Sequence, residues 1–328
     1  MGYVHLGPED TPSAITNYHR MSQSVIATKS VSKIQRNKTR SRSPFRAAHL
    51  FVLPYVILMV LFGLAPGIYA LIISFAKFVG GRPQFFQAGI SNYITAYSDL
   101  RFLPALGNVF HFLLISIPTG IIGVIFIALW LHARPGRIAT GFRTLFFVPG
   151  AFAGPALVLL AFFMLSPVTS PFGFLLRAMG FENSTQVTLP DNYPVLFTVI
   201  GFFAGAGGWV AIFYGALNGI SKEVLEAAMM DGCNQWQTAY SIKMPLILPY
   251  IAYMAILVFA GNVQLFAEPQ LFGSKYWSPN QLSYAFAFEI GNFGASAAIS
   301  LLMVVIGLIG AGLIIKFSGF YQTDATAS

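Results

Sequence analysis

Residues 102–133 read FLPALGNVFHFLLISIPTGIIGVIFIALWLHA, 32 positions without one Asp, Glu, Lys or Arg. A helix needs roughly 20 apolar residues to cross about 30 Å of hydrocarbon, so this stretch spans with length to spare. Five more stretches lack charge in the same way: 47–76, 144–176, 192–221, 244–267 and 290–315. Each is long enough to cross. The reading is an all-α polytopic membrane protein with six transmembrane helices. Strands of a barrel would alternate polar and apolar side chains over segments of about 10 residues, a pattern these stretches do not have. Composition agrees, with 56% hydrophobic and 9% charged residues against about 25% charged in a soluble domain. At that charge density lipid must be the main solvent. Pro54, Pro66, Pro118, Pro149 and Pro155 lie inside the stretches and mark kinks, which membrane bundles tolerate where neighbours meet the freed carbonyls.

Basic residues orient the chain. With the N-terminus in the cytoplasm, the inside segments hold 14 of the 19 Lys and Arg, and the outside segments hold Lys77, Arg82, Arg101, Arg177 and Lys275. This is the bias of the positive-inside rule, and it puts both termini in the cytoplasm. Residues 1–46 are polar, basic and rich in Ser and Thr, without apolar periodicity. They are expected to form a disordered cytoplasmic tail, whose basic run suits anionic lipid head groups. The apolar segment that follows is too long and too late for a cleavable signal peptide. The transmembrane domain is expected over 47–318, with a cytoplasmic loop at 218–245 and a short cytoplasmic tail at 319–328.

What the spans lack narrows the function. Their centres carry no acidic or basic residue, and His111, near the outer end of the second span, is the one titratable group of that kind. Ion-coupled carriers hold buried Asp, Glu or Lys to link ion and substrate, and voltage sensors hold rows of Arg. The chain has no G-x-x-x-x-G-K-[ST] phosphate loop, so it does not bind ATP through that device. One cysteine, Cys233, excludes an internal disulfide, and the five histidines are too scattered for a helical metal pair. An intramembrane enzyme would need a Ser/His, paired-Asp or metal set within the spans, and none is present. Uphill transport by this chain would draw its energy from elsewhere.

The loop between spans four and five runs from Ser221 to Pro245. Ser221 is a candidate N-cap, and Glu223 falls in the first turn, where a carboxylate suits the helix dipole. Ala227 and Ala228 favour helix and leave a thin surface. Gly232 supplies the left-handed residue that ends the helix. A short helix of about three turns is expected, then a second helical stretch leading into span five. Such an element suits a groove on a partner protein.

These residues carry a resemblance. Glu226-Ala227-Ala228, three residues, Gly232, nine residues, then Ile242 and Pro245 resembles the E-A-A motif of ATP-binding-cassette importer permeases. Asp231 and Glu223 fit the wider pattern. Met244 stands where Leu is usual, and Ser221 where proline commonly opens the helix. Further along, Leu53-Pro54, Asn108, Trp209, Gln264 to Glu268 and Phe293 to Ala298 resemble carbohydrate permeases of the maltose and glycerol-phosphate type. Gly273-Ser274-Lys275 replaces the usual Gly-Gly-Pro, and Val109 replaces a Thr. The chain ends without the glycine-rich tail of similar partner permeases, so it resembles the first-type subunit of a heterodimer.

The resemblance implies a type I importer permease fold in the inner membrane of a prokaryote. It implies a second permease subunit, two ATPase subunits that bind ATP and Mg, and an extracytoplasmic solute-binding protein. ATPase coupling would fall to Glu223, Glu226, Ala227, Ala228, Asp231, Gly232, Ile242 and Pro245. No catalytic residue, metal or cofactor is expected in this chain. Polar and aromatic groups at membrane depth give the candidate substrate pathway: Asn108, His111, Tyr253, Asn262, Gln264, Phe266 and Glu268. Helical spacing puts Asn262 with Phe266, and Gln264 with Glu268, one turn apart. Interhelix hydrogen bonding is the competing use for such groups. Amino acids, peptides or polyamines are the alternative cargo, and a secondary carrier is a further alternative.

Overall fold

The structure, a computed structural model, describes residues 44–318 apart from 135, 153, 274 and 275. The expected tails at 1–46 and 319–328 fall outside these residues, save for 44–46. Two compact units are distinguished, one ending at Gly63 and one starting at Leu64.

In the first unit, α1 spans Pro44–Met59 and leads into a π-helical turn, Val60–Leu64. Its side chains from Phe51 onward are exposed, Phe51 at 88% and Phe62 at 77%. The stretch 51–59 is apolar on every face and exposed throughout, and such a surface needs lipid or another subunit as its solvent.

The second unit is a helical bundle. After α2 (Ala65–Ser74), a two-stranded hairpin, β1 (Lys77–Val79) and β2 (Arg82–Gln84), turns at Gly80-Gly81 and pairs Lys77 with Gln84. This hairpin is a small addition to the expected all-α architecture. Helix α3 (Ser91–Ser98) precedes the long α4 (Phe102–Ala133). Then come α5 (Arg137–Gly150), α6 (Gly154–Met164), the short α7 (Gly173–Ala178) and α8 (Ser184–Val187), and α9 (Tyr193–Asn218). The loop carries α10 (Lys222–Met230) and α11 (Gln235–Thr238), and a π turn passes into α12 (Met244–Asn262). Finally α13 (Ala267–Phe272) and α14 (Pro279–Tyr284) lead to α15 (Phe293–Phe317).

Five helical stretches are long and apolar enough to cross a membrane: Phe51–Ser74, Phe102–Ala133, Pro190–Asn218, Gln235–Phe272 and Phe293–Phe317. The expected third span, 144–176, is not one straight helix. Its residues divide between α5 and α6, which meet at 104°. Pro149, Gly150, Gly154 and Pro155 crowd this break, and proline inside a helix removes a donor and clashes with the preceding turn. The pair makes the sixth crossing if it is one broken span.

Helix α9 lies at the centre of the unit, packed on α4, α5, α6 and α12. Small residues let it approach α5 closely. A Cβ at Gly150 would lie 2.7 Å from the Ala204 carbonyl oxygen, and one at Gly207 would overlap the backbone of Phe146 and Phe147. Close backbone approach through small residues is how helices gain van der Waals contact in lipid. One core joins Val124, Ala128, Leu131, Val210, Phe213, Leu217 and Ile247 at the loop end of the bundle. A second, towards the other end, joins Phe112, Tyr193, Phe197, Phe272 and Tyr276. A third ties α14, the π turn that follows it (Ala285–Glu289) and α15 to α3 through Leu282, Phe286, Ile299 and Ala96.

Candidate functional site

The loop helix α10 ends as its sequence indicates. Gly232 sits at φ +80°. The Cys233 amide donates to the Ala228 carbonyl at 3.0 Å, and the Gly232 amide to the Met229 carbonyl at 3.1 Å. These paired bonds are a Schellman closure, which satisfies two carbonyls that the helix end would orphan. At the other end Ser221 has N-cap backbone angles, yet its side chain accepts no bond from the helix. Ser221 is exposed, so water can meet those amides. The capping expected of Ser221 is therefore positional only.

The second helical stretch has a cap that the sequence reading passed over. Asn234 Oδ1 accepts from the Gln237 amide at 2.8 Å, while Gln237 Oε1 accepts from the Asn234 amide at 2.8 Å. The signal was an Asn followed three residues on by Gln, a reciprocal capping box. Ile242 lies half-buried in the π turn Ala239–Lys243, and Pro245 opens α12. The two alanines do not share a thin face. Ala228 is buried at 3% while Ala227 is exposed, because neighbours on a helix point about 100° apart. Glu223, Glu226 and Asp231 are exposed. So are Met229, Met230, Trp236 and Tyr240, the last three each at least 78%. The loop thus holds its shape by backbone hydrogen bonds and presents bare apolar side chains.

The expected pathway residues separate into three places. Asn108 clamps the bundle: its Nδ2 donates to the Trp277 carbonyl at 3.0 Å, and its own carbonyl accepts from Tyr276 Oη at 2.7 Å. Burial pushes the Tyr276 phenol up to about 12, which keeps that donor protonated. His111, nearby on α4, is exposed. Asn262 donates to Ser116 Oγ at 3.0 Å and lines a cavity of about 210 Å³ between α4, α9 and α12. Tyr253 lies half-exposed against Trp209, their rings 5.9 Å apart.

Gln264 and Phe266 line a larger groove, about 680 Å³, beside α14 and α15. Glu268 is half-buried on α13. The expected one-turn pairings of Asn262 with Phe266 and Gln264 with Glu268 do not form. Helix α12 stops at Asn262, and Phe266 has φ −144°, so helical spacing lapses between them. The sequence reading also missed the groove's hydroxyls. Ser283 Oγ lies 2.9 Å from both Ser296 Oγ and Ser300 Oγ. Ser296 and Ser300 are four apart on α15, a spacing visible in the sequence. Tyr284 completes the wall, its ring 5.7 Å from Phe266 and 4.9 Å from Phe288.

Residues 93–315, from α3 nearly to the end of α15, match the family model described as "Binding-protein-dependent transport system inner membrane component". The chain belongs to that family. The permease is 28% identical over 287 residues to the multiple sugar-binding transport system permease protein MsmF of Streptococcus mutans, covering 83% of this chain and 95% of that one. It is 24% identical to the arabinooligosaccharides transport system permease protein AraP of Bacillus subtilis, covering 85% and 90%. Its fold matches a bacterial alginate ABC transporter solved in complex with an alginate pentasaccharide-bound periplasmic protein. That match has a TM-score of 0.71 and 18% identity, covering 83% of this chain and 93% of that one.

Proposed function

We propose that this permease is the first-type transmembrane subunit of an ATP-driven carbohydrate importer, forming half of the translocation pathway with a second permease. The observation that carries this reading is the 221–245 loop. Its E-A-A motif folds into a closed helix, and the loop leaves Met229, Met230, Trp236 and Tyr240 uncovered, as a docking element for a separate ATPase requires. ATP and Mg are then held by two ATPase subunits, and this chain supplies no catalytic group. The loop and both termini face the cytoplasm, in keeping with the basic-residue bias.

Transport follows from a loop that moves as a rigid body. Closure of the ATPase pair draws the two permeases' loops together, the spans tilt, and the cavity opens to the binding protein; hydrolysis resets it. Carbohydrate is the cargo class because relatives named for sugars match 83% and 85% of this chain, and because the groove chemistry suits it. The Ser283, Ser296 and Ser300 hydroxyls and Asn280 offer donors and acceptors, while Phe266, Tyr284 and Phe288 offer rings for the apolar faces of a sugar.

The test is reconstitution of the permease with its co-purifying ATPase and binding protein in proteoliposomes. Oligosaccharide uptake is expected with ATP, and none without the ATPase. Uptake that persists without the ATPase sinks the reading. Uptake of amino acids, peptides or polyamines in place of sugars overturns the cargo class alone.

A further inference from the structure

A single hydrogen bond ties the docking loop to a distant helix. Lys243 closes the π turn before α12, and its Nζ lies 3.1 Å from Nδ1 of His132, 111 residues away in the last turn of α4. Both side chains are half-buried. Among the described residues, the other hydrogen bonds of 221–243 stay within the loop or run on into α12. The junction around the contact is firmly packed. Leu131, next to His132, shares a core with Leu217 of α9 and with Ile247, one turn beyond Lys243. The ends of α4, α9 and α12 are therefore held together by burial, and the loop that leaves them is tied back to α4 by this one bond.

The bond has a condition. An ammonium group only donates, so Nδ1 must carry the lone pair and the imidazole must be neutral. Protonation of His132 would replace the acceptor by a donor and set two positive charges in contact. Histidine is the side chain whose ordinary titration, at roughly pH 6.5, lies closest to neutrality. The groups that face it are basic or phenolic. Lys243 comes from the π turn. Tyr214 of α9 meets the imidazole edge-on at 6.1 Å, and Arg143 of α5 lies over that same Tyr214 ring at 4.2 Å. Arg134, two positions on, lies over Trp130 at 5.3 Å. The one ion pair among the described residues, Arg101 with Asp99, is beyond the opposite end of α4, so no carboxylate there offsets a charge gained by His132. We propose that Lys243 is a positioning residue, which passes the movement of the loop into α4 through neutral His132, and that acid on the loop side breaks this link. The proposal rests on the reading of the loop as the ATPase dock. While the bond holds, the loop and the end of α4 move as one body. Once it opens, the turn can shift past α4, and hydrolysis no longer tilts that span.

The experiment uses proteoliposomes that hold the complete importer. The pH is varied on the ATP side, and the binding-protein side stays at about pH 7.5. Uptake per ATP hydrolysed is read for the oligosaccharide carried in the reconstitution above. The native ratio is expected to fall about fivefold or more between about pH 7.5 and about pH 5, as neutral imidazole is depleted. His132→Asn places an acceptor that does not titrate near the Nδ1 position, and its ratio should hold across that range. His132→Leu and Lys243→Met each delete one partner. Both should show the low ratio already at neutral pH, with the ATPase still bound. Hydrogen exchange on the purified permease gives a reading free of cargo and ATPase. After correction for the intrinsic effect of pH, the amides of 239–243 should open in acid in the native chain and stay closed in His132→Asn. The proposal is overturned if the native and Asn chains respond alike to acid, or if the Leu and Met variants keep the native ratio at neutral pH. A native importer without ATP-dependent uptake at either pH would fault the docking reading instead, and the exchange result would still decide the contact.

Discussion

Two segments interrupt the long helices of this permease, and they hold their shape by opposite means. The loop at 221–245 buries one residue of α10, Ala228, and relies on backbone closure at Gly232 and the box at Asn234. The return segment from α12 to α15 is held by burial: Ser278 and Leu282 are fully enclosed, Ala285 is at 1% and Phe286 at 4%. Its polar groups are clamped to the bundle through Asn108, Tyr276 and Trp277. On the proposed function, the contrast separates two duties. A docking element must keep its form before the partner arrives while leaving its apolar side chains free, so local hydrogen bonds must supply the order. A segment that walls a pathway within the bundle can take its order from packing.

The largest break expected in this comparison is Leu282→Ala. It removes a fully buried side chain from the cluster with Phe286, Ala96 and Ile299, and should cost about 2–5 kcal/mol. Thermal unfolding in detergent reads it; a loss below about 1 kcal/mol would mean that the segment is not held by packing. Gly232→Val comes next. No atom lies within 4 Å of a Cβ there, so the cost is the left-handed backbone alone, about 1–2 kcal/mol. It should melt the end of α10 and abolish ATP-dependent uptake at unchanged membrane level. Gly232→Asn, which tolerates that backbone better, should restore part of the uptake. Native uptake by the valine variant breaks the link between closure and coupling.

The sequence made the frame legible because lipid imposes a simple rule, and each charge-free run except 144–176 falls in one helical stretch long and apolar enough to cross. The loop was legible for a different reason: Gly232 and the E-A-A spacing are local, and local rules survive without tertiary information. What failed was long-range or depended on a helix continuing. Asn108 binds across 169 residues to Trp277, a pairing that no local pattern encodes. The expected Gln264–Glu268 pairing assumed helix where α12 has already stopped at Asn262. The kink expected at Pro149 and Pro155 is the bend between α5 and α6, although hydropathy alone gave a single span there. The serine row was missed because only Ser296 and Ser300 share a helix, and Ser283 joins them from α14.

A smaller effect tests the second half of the loop. Asn234→Ala deletes the capping box and should cost about 1 kcal/mol, confined to the start of the stretch at 235–243. Hydrogen exchange at Trp236 to Thr238 should quicken while the buried return segment stays protected. Equal quickening in both segments would show that they unfold as one unit and that the contrast is not real.

The smallest effect on the folded chain, and the sharpest test of the docking reading, belongs to Trp236→Ala. Trp236 is 78% exposed, so truncation removes little packing, and stability should stay within about 0.5 kcal/mol of native. An exposed tryptophan kept for a partner behaves differently once the partner is bound, because aromatic anchors carry a disproportionate share of interface energy. Co-purification of the ATPase should therefore weaken by about tenfold or more, the equivalent of roughly 1.4 kcal/mol, with no change in melting temperature. If the ATPase is retained as well as by the native chain, the exposed side chains of the loop are ordinary interfacial residues. Coupling would then rest on the backbone shape that Gly232 sets.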